Sequence, residues 1–182
     1  MDKLISGLSW LTEKVGRTVS WATLLLLLLT LAVVILRYAF NTGATALQDS
    51  ALYLHGAVFT LAAGYTLKHD AHVRVDIFYR RFSIRTRHWV DLLGTLLLLL
   101  PVSLFIAWEC WDYVLASWRI TEKSAEAGGL PLVYLQKSLL LALVVSLLIQ
   151  GIVELWTHSQ ALFGRETAGC PDETNSREGD VL

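Results

Sequence analysis

The chain has 182 residues, of which 54% are hydrophobic and 17% are charged, and its mean hydropathy is +0.51. A soluble domain of this length contains fewer apolar residues, so these values indicate a protein that folds in a membrane. The formal net charge is −1 and the two cysteines form no C-x-x-C motif, so composition points to neither a nucleic-acid partner nor a disulfide framework.

The first predicted element lies in residues 1–18, where apolar residues recur at three- and four-residue spacings. This pattern predicts a short amphipathic helix at the membrane interface, and a frayed polar tail fits it as well. No charged residue occurs in residues 19–36, a length that crosses a hydrocarbon core of ~30 Å at ~1.5 Å per residue once flanks and tilt are included. We therefore predict the first span at residues 19–38.

A cleaved signal peptide is the alternative for this first segment. The chain begins with positive charge, and Ala44, Thr45 and Ala46 resemble a small-residue cleavage site. The apolar run is longer than the usual core of a signal peptide, and Arg37 intervenes before the site. We interpret the segment as an uncleaved anchor.

The second predicted span, residues 48–67, contains one ionisable side chain well inside it, His55. An ionisable residue within a span is a candidate functional group. The simpler interpretation is a neutral imidazole that bonds a neighbouring carbonyl or a water molecule.

The third predicted span, residues 88–112, contains Pro101 near its middle. Proline removes one backbone donor, which predicts a kink that neighbouring helices tolerate in a membrane. Acidic and aromatic residues continue the helical pattern after the apolar run, so we expect the helix to project beyond the membrane.

The fourth predicted span, residues 131–156, begins with a proline suited to a helix start. Lys137 lies about two turns inside it. Its ammonium group is expected to snorkel outward or to meet an acid such as Glu109 or Asp112.

The connection between the second and third spans, residues 68–91, orients the chain. Its basic residues are Lys68, Arg74, Arg80, Arg81, Arg85 and Arg87. Because Lys and Arg next to a span resist translocation, this loop is predicted to be cytoplasmic. The result is an all-α membrane protein with four transmembrane helices and both termini in the cytoplasm (N-in/C-in). Residues 1–163 form one membrane domain, and the polar residues 164–182 a disordered cytoplasmic tail.

The basic connection also mixes apolar with charged residues, which predicts a short interfacial helix on anionic lipid. The plainer interpretation is that its charges only set the topology. Arg37 is the exception to the charge pattern, a base at the outer end of a span. It either snorkels to outer headgroups or forms an ion pair. Three acids are candidate partners: Asp49, Glu109 and Asp112.

Catalytic chemistry finds no support in the sequence. There is no G-x-x-x-x-G-K-[ST] loop, no H-E-x-x-H and no nucleophile clustered with a base, so we predict neither an enzyme nor a cofactor or metal site. The alternative is the membrane anchor of a redox enzyme, with or without haem. Bis-histidine ligation of haem needs two histidines at similar depth, and His55 alone lies well inside a span. A self-sufficient transporter would show repeated halves and broken helices. By elimination, the chain looks like an accessory subunit of a larger membrane protein.

Residues around the spans resemble a known family. The elements are Arg37-Tyr38-x-Phe40-Asn41, Asp49, Gly64 and His72-Val73-Arg74-Val75-Asp76. They resemble the small membrane subunit of tripartite ATP-independent periplasmic (TRAP) transporters, the DctQ-like family, over roughly residues 19–154. The family often has Trp and Glu ahead of the second span, where this chain has Leu47, Gln48 and Asp49. The carboxylate that this chain has there, on Asp49, is therefore one carbon shorter than the glutamate of the family.

The resemblance implies a secondary transporter of the bacterial inner membrane, driven by an ion gradient, usually sodium, that imports organic anions, commonly carboxylates. A large membrane subunit would carry the substrate and ion sites, and a periplasmic solute-binding protein would deliver the solute. The small subunit would be a static scaffold. The candidate interface residues are Arg37, Asp49, Glu109, Asp112 and Lys137, and the residues expected to order the cytoplasmic loop are His72, Arg74, Asp76, Arg80 and Arg81.

Overall fold

The computed structural model describes residues 2–71, 79 and 81–163. Within these ranges every regular element is helical, which confirms the all-α prediction for the described part of the chain. The helices are α1 (Asp2–Ala39), α2 (Thr45–Lys68), α3 (Ile84–Gly94), α4 (Leu100–Arg119) and α5 (Val133–Phe163), and a π-helical turn (Thr95–Leu99) joins α3 to α4.

The last helix, α5, is the centre of the bundle, since it contacts each of the other four helices, and α2 packs against both α1 and α5. Small residues allow these close approaches. The backbone N–H of Gly64 on α2 donates to the Ser146 hydroxyl of α5 over 3.0 Å, and a methyl group at Gly64 would lie 2.8 Å from the Ser146 carbonyl oxygen. Lipid tails are as apolar as leucine, so helix association in a membrane depends on such packing and on interhelical hydrogen bonds.

Three helical segments are long and apolar enough to cross a membrane: Lys3–Ala39, Ile84–Arg119 and Val133–Phe163. They contain the predicted spans 19–38 and 88–112, and all of the predicted span 131–156 except its first two residues. The predicted second span lies in α2, which is 24 residues long but is not among these segments. Tyrosine, histidine, glycine and threonine make α2 less apolar, and its two neighbours leave most of its residues half-buried. That α2 also crosses the membrane stays a prediction.

The N-terminal helix differs from the prediction. No separate interfacial helix precedes the first span, because residues 2–39 form one uninterrupted helix. Side chains at the expected break bond back along the helix: the Thr18 hydroxyl donates to the Lys14 carbonyl over 2.9 Å, and the Ser20 hydroxyl donates to the Gly16 carbonyl over 2.9 Å. These hydroxyls find acceptors within the same helix, and the helix continues through this stretch without a break.

The irregularity predicted at Pro101 lies just ahead of it. The segment Thr95–Leu99 is π-helical, and the Leu100 N–H donates to the Thr95 carbonyl. Proline has no N–H to donate to the carbonyl four residues before it, and its ring crowds that carbonyl. A wider turn ahead of the proline relieves this crowding. Beyond the proline, α4 continues to Arg119, so the segment from Ile84 has 36 residues. At ~1.5 Å per residue it is ~54 Å long and exceeds a ~30 Å hydrocarbon core, as expected from the sequence.

Several predictions fall outside the described residues. These are the interfacial helix of the basic loop, the tail 164–182, and the loop residues His72, Arg74, Asp76 and Arg80. Arg81 is described and is exposed. At the start of the fourth span, the helix begins at Val133, so the proline at position 131 precedes the helix instead of opening it.

Candidate functional site

Asp49, in the first part of α2, holds the loop that joins α4 to α5. Its Oδ2 accepts a hydrogen bond from the backbone N–H of Leu130 over 2.8 Å. The Tyr53 hydroxyl, one turn further along α2, donates to the Leu130 carbonyl over 3.4 Å. Gly129 makes room for this contact, since a methyl group there would lie 2.7 Å from Asp49 Oδ2. The retained carboxylate is therefore an anchor for the α4–α5 loop.

Lys137 forms its ion pair inside the same region. Its Nζ donates to Glu122 Oε2 over 2.5 Å and lies 4.1 Å from the centre of the Tyr113 ring. The predicted ion pair with an acid is therefore present, but the acid is Glu122 and not Glu109 or Asp112, which both lie exposed on α4. Glu122 is closer in space since it follows the end of α4, where the chain turns back toward α5. The hydrogen bond from Lys137 lowers the pKa of Glu122 below its ordinary value.

Arg37 does not join this region. It is exposed near the end of α1, and in residues 2–71, 79 and 81–163 no ion pair is found for it. Asp49, one of its predicted partners, is instead bonded to the Leu130 N–H. Of the interface candidates, the structure thus connects Asp49 and Lys137 through one loop and leaves Arg37, Glu109 and Asp112 on the surface.

An open groove on α4 places one of these acids beside aromatic side chains. It has a volume of about 550 Å³ and is lined by Leu104, Ala107, Trp108, Trp111 and Asp112. Trp108 and Trp111 are exposed. A surface of indole rings next to a carboxylate is typical of membrane-interface positions, where one part of a side chain is apolar and another contacts water.

At the opposite end of the bundle, Glu13 of α1 binds three basic side chains that sequence reasoning did not connect with it. Its oxygens lie 2.9 Å from Arg17, 3.0 Å from Lys68 and 3.0 Å from His69, and the Lys68 ammonium also donates to the Ser9 carbonyl over 3.0 Å. These donors, Lys68 first, lower the pKa of Glu13 to about 2. Arg17 was detectable at four-residue spacing, whereas the α2 partners depend on how the two helices pair.

A second group missed by sequence reasoning connects α5 to α3. The Gln150 side-chain amide donates to Glu154 Oε1 over 2.8 Å, and His158 Nε2 lies 3.1 Å from Glu154 Oε2. His158 Nδ1 then lies 3.0 Å from Nδ1 of His88 on α3. Gln150, Glu154 and His158 follow one another at four-residue spacing. This was a usable signal, because such residues share one helix face. The histidine on α3 is joined to this face only by tertiary packing.

The intramembrane candidate His55 does not belong to either cluster. Its side chain is exposed on α2, on a stripe with Leu52 and Phe59 at three- and four-residue spacings. Among the described residues no group of three or more His, Cys, Asp or Glu side chains could hold a metal ion. The polar clusters around Asp49, Lys137, Glu13 and Glu154 connect helices to one another or to the α4–α5 loop.

Comparison with known proteins gives one finding. The family model for the DctQ component of tripartite ATP-independent periplasmic transporters matches residues 26–161, which is more than half of the chain. No curated protein and no solved structure matches the chain.

Proposed function

Because the chain belongs to the family of DctQ components of tripartite ATP-independent periplasmic transporters, we propose that it is the static scaffold subunit of an ion-gradient-driven importer. Membership of this family makes the chain a transporter component, which is consistent with the prediction that it is not an enzyme. It also implies two partners, a large membrane subunit and a periplasmic binding protein. Together with the three long apolar helices, it indicates a protein of the bacterial inner membrane.

The proposed topology has four spans, with α2 as the second and both termini in the cytoplasm. The density of Lys and Arg in residues 68–91 supports it, since such segments stay on the cytoplasmic side. His72, Arg74 and Asp76 are proposed to order this loop. Reporters fused after Ser83 and after Gly43 test the orientation. We expect the first to be cytoplasmic and the second periplasmic, and the reverse result would overturn the arrangement.

A scaffold role is supported by what the polar side chains do. Glu13 with Lys68 joins α1 to α2, and Asp49 fixes the α4–α5 loop. These contacts hold the bundle together from within, while the groove at Trp108 and Trp111 leaves apolar surface exposed. We propose that the exposed charges Arg37, Glu109 and Asp112 contribute to contacts with the large subunit and the binding protein. Asp49 and Lys137 would act indirectly, by shaping the neighbouring loop.

The proposed cargo is an organic anion, commonly a carboxylate, with sodium as the usual coupling ion. This part of the proposal rests on the family alone. The redox-anchor alternative has no support in the family match.

Reconstitution tests the proposed role. The chain is co-expressed with the large subunit of its own transporter, purified in mild detergent and placed in vesicles with the binding protein. We expect the two membrane subunits to co-purify and solute uptake to require all three proteins. Solute uptake by the chain alone would overturn the scaffold proposal.

Surface variants of the same assembly test the exposed acids. Glu109→Gln with Asp112→Asn is expected to lower uptake while co-expression levels stay unchanged. Arg85→Gln, which changes an exposed charge at the opposite end of the bundle, is the matched control and is expected to leave uptake unchanged.

A further inference from the structure

The contact between His88 and His158 sets a limit on the number of protons that the two rings hold. We name these residues the imidazole pair. Their Nδ1 atoms lie 3.0 Å apart, within hydrogen-bond distance. One of the two atoms must carry a hydrogen and the other a lone pair, because two hydrogens would collide and two lone pairs would repel. The pair therefore contains one shared hydrogen for as long as the contact is intact.

Glu154 fixes the arrangement on the far side of His158. Its Oε2 lies 3.1 Å from His158 Nε2, and its Oε1 accepts from Gln150, whose side chain is 1% exposed. A carboxylate only accepts hydrogen bonds, so His158 Nε2 carries a hydrogen. In the uncharged pair, His158 Nδ1 is consequently the lone pair that accepts from the Nδ1–H of His88.

We propose that the imidazole pair is a proton-binding site that accepts one proton without opening and releases α3 from α5 when it takes up a second. The first added proton binds His88 Nε2, the nitrogen outside the contact. His88 then becomes a cation whose Nδ1–H still donates to His158, and charge assistance strengthens this bond. One lone pair remains, on His158 Nδ1. A second proton must bind there, which removes the acceptor and places two cations side by side.

The groups around the pair favour one added charge and oppose two. Glu154 on α5 supplies one negative charge in direct contact. On α3, Asp91 accepts from the Tyr79 hydroxyl over 2.6 Å, and the neighbouring Arg87 donates its Nε–H to the Phe82 carbonyl over 3.2 Å. Helix α2 contributes the uncharged Leu67 to the same groove.

Protons can reach the pair from an open groove. This groove has a volume of about 270 Å³, and Asp91, Thr95, Glu154 and His158 are among its lining residues. It is large enough for several water molecules, each of which occupies ~30 Å³ in the liquid.

The consequence of opening follows from the position of α3. This helix follows the basic loop and leads into the π-helical turn, whose Leu99 side chain would lie 2.9 Å from a methyl group at Gly151 of α5. Loss of the imidazole contact therefore loosens the connection between the basic loop and the centre of the bundle. If the proposed topology holds, the pair senses the pH of the cytoplasm, and that last step alone rests on the proposed function.

Hydrogen exchange of the full chain in lipid nanodiscs tests the proposal. Amide exchange of residues 84–94 is measured from about pH 8 to about pH 5, the range in which histidine side chains change charge, and is corrected for the intrinsic pH dependence of exchange with α1 peptides as the reference. We expect the corrected exchange of α3 to rise about five- to ten-fold at the acid end, as for the loss of one hydrogen bond. His88→Gln and His158→Gln should each abolish this rise.

His69→Gln is the matched control, because it removes another titratable imidazole near the same end of the bundle, on α2. This variant should keep the acid-induced rise. A rise of the same size in His88→Gln would overturn the proposal.

Nitrogen-15 spectra of histidine-labelled chain provide a second measurement that needs no folded variant. We expect the proton uptake of His158 to depend on that of His88, and the shared hydrogen signal to disappear with the second proton. Independent uptake by the two rings would overturn the proposal. Neither measurement involves transport, so failure here leaves the scaffold proposal unaffected, and failed reconstitution leaves the imidazole pair unaffected.

Discussion

Lys137 and Glu122 form the shortest described ion pair, with 2.5 Å between Nζ and Oε2, and connect the start of α5 to the chain just past the end of α4. The ammonium group lies about two turns from the start of its predicted span, where a lysine needs either water or a partner. Glu122 supplies that partner, and the ring of Tyr113 covers another side of the ammonium group.

Removing this partner is the first prediction. Glu122→Gln should lower the melting temperature of the purified chain by several degrees, because it leaves a lysine cation without its charge partner near the membrane boundary. Adding Lys137→Met to Glu122→Gln should restore part of the loss. Thermal unfolding in detergent measures both. Lys123→Gln, an exposed neighbour, is the control, and an equal loss there would show that the charge of the loop matters instead of this pair.

The acid range gives a second prediction, at Glu13. Its three basic neighbours lower its pKa from 4.5 to about 2. A carboxyl with a lowered folded-state pKa stabilises the fold above its unfolded value and loses that effect as the pH falls through its folded value. We therefore expect the contribution of Glu13 to fade between about pH 4.5 and about pH 2.

Glu13→Gln should remove this part of the pH dependence of the melting temperature. Glu126→Gln, at an exposed acid of the α4–α5 loop, is the comparison and should leave the acid-range slope near that of the unmodified chain. Equal slopes for the unmodified chain and Glu13→Gln would contradict the assigned role.

The close approach of α2 and α5 gives a third prediction. Gly64→Ala should destabilise the bundle by ~1–3 kcal/mol, since the added methyl group meets the Ser146 backbone oxygen at 2.8 Å and overpacking costs about this much. Gly7→Ala is the control: nothing lies within 4 Å of its added methyl group, and alanine in a helix is favoured over glycine by ~0.5–1 kcal/mol. Denaturation in mixed micelles measures both, and two changes of the same sign would contradict the packing argument.

The anchor at Asp49 gives a fourth prediction. Asp49→Ala leaves the Leu130 N–H without its acceptor and should cost ~1–2 kcal/mol, with faster amide exchange or proteolysis in residues 120–132. Asp49→Asn keeps an acceptor oxygen and should have a smaller effect. Loop protection that is unchanged in Asp49→Ala would rule out the anchor.

The surface position of Arg37 gives the last prediction. The side chain is exposed and no ion pair is described for it. Arg37→Gln should therefore change the free energy of unfolding of the isolated chain by no more than about 0.5 kcal/mol, and its melting temperature should stay unchanged. Any effect should appear in assembly with the large subunit. A lower melting temperature of the isolated chain would show that the side chain has a structural partner within the bundle.

The sequence by itself indicated that the chain folds in a membrane, that its fold is all-α and which family it resembles. Long uncharged runs such as residues 19–36 can satisfy their backbone in lipid only as helices, and the family resemblance seen in motifs such as Arg37 to Asn41 agrees with the family match over residues 26–161. The tertiary structure decided which side chains meet: Lys137 with Glu122 instead of an acid on α4, Glu13 with Lys68, and His88 with His158. Such pairs depend on how each helix is rotated about its axis and how far it is shifted along its neighbours. Leucine runs that are apolar on every face predict neither the rotation nor the shift.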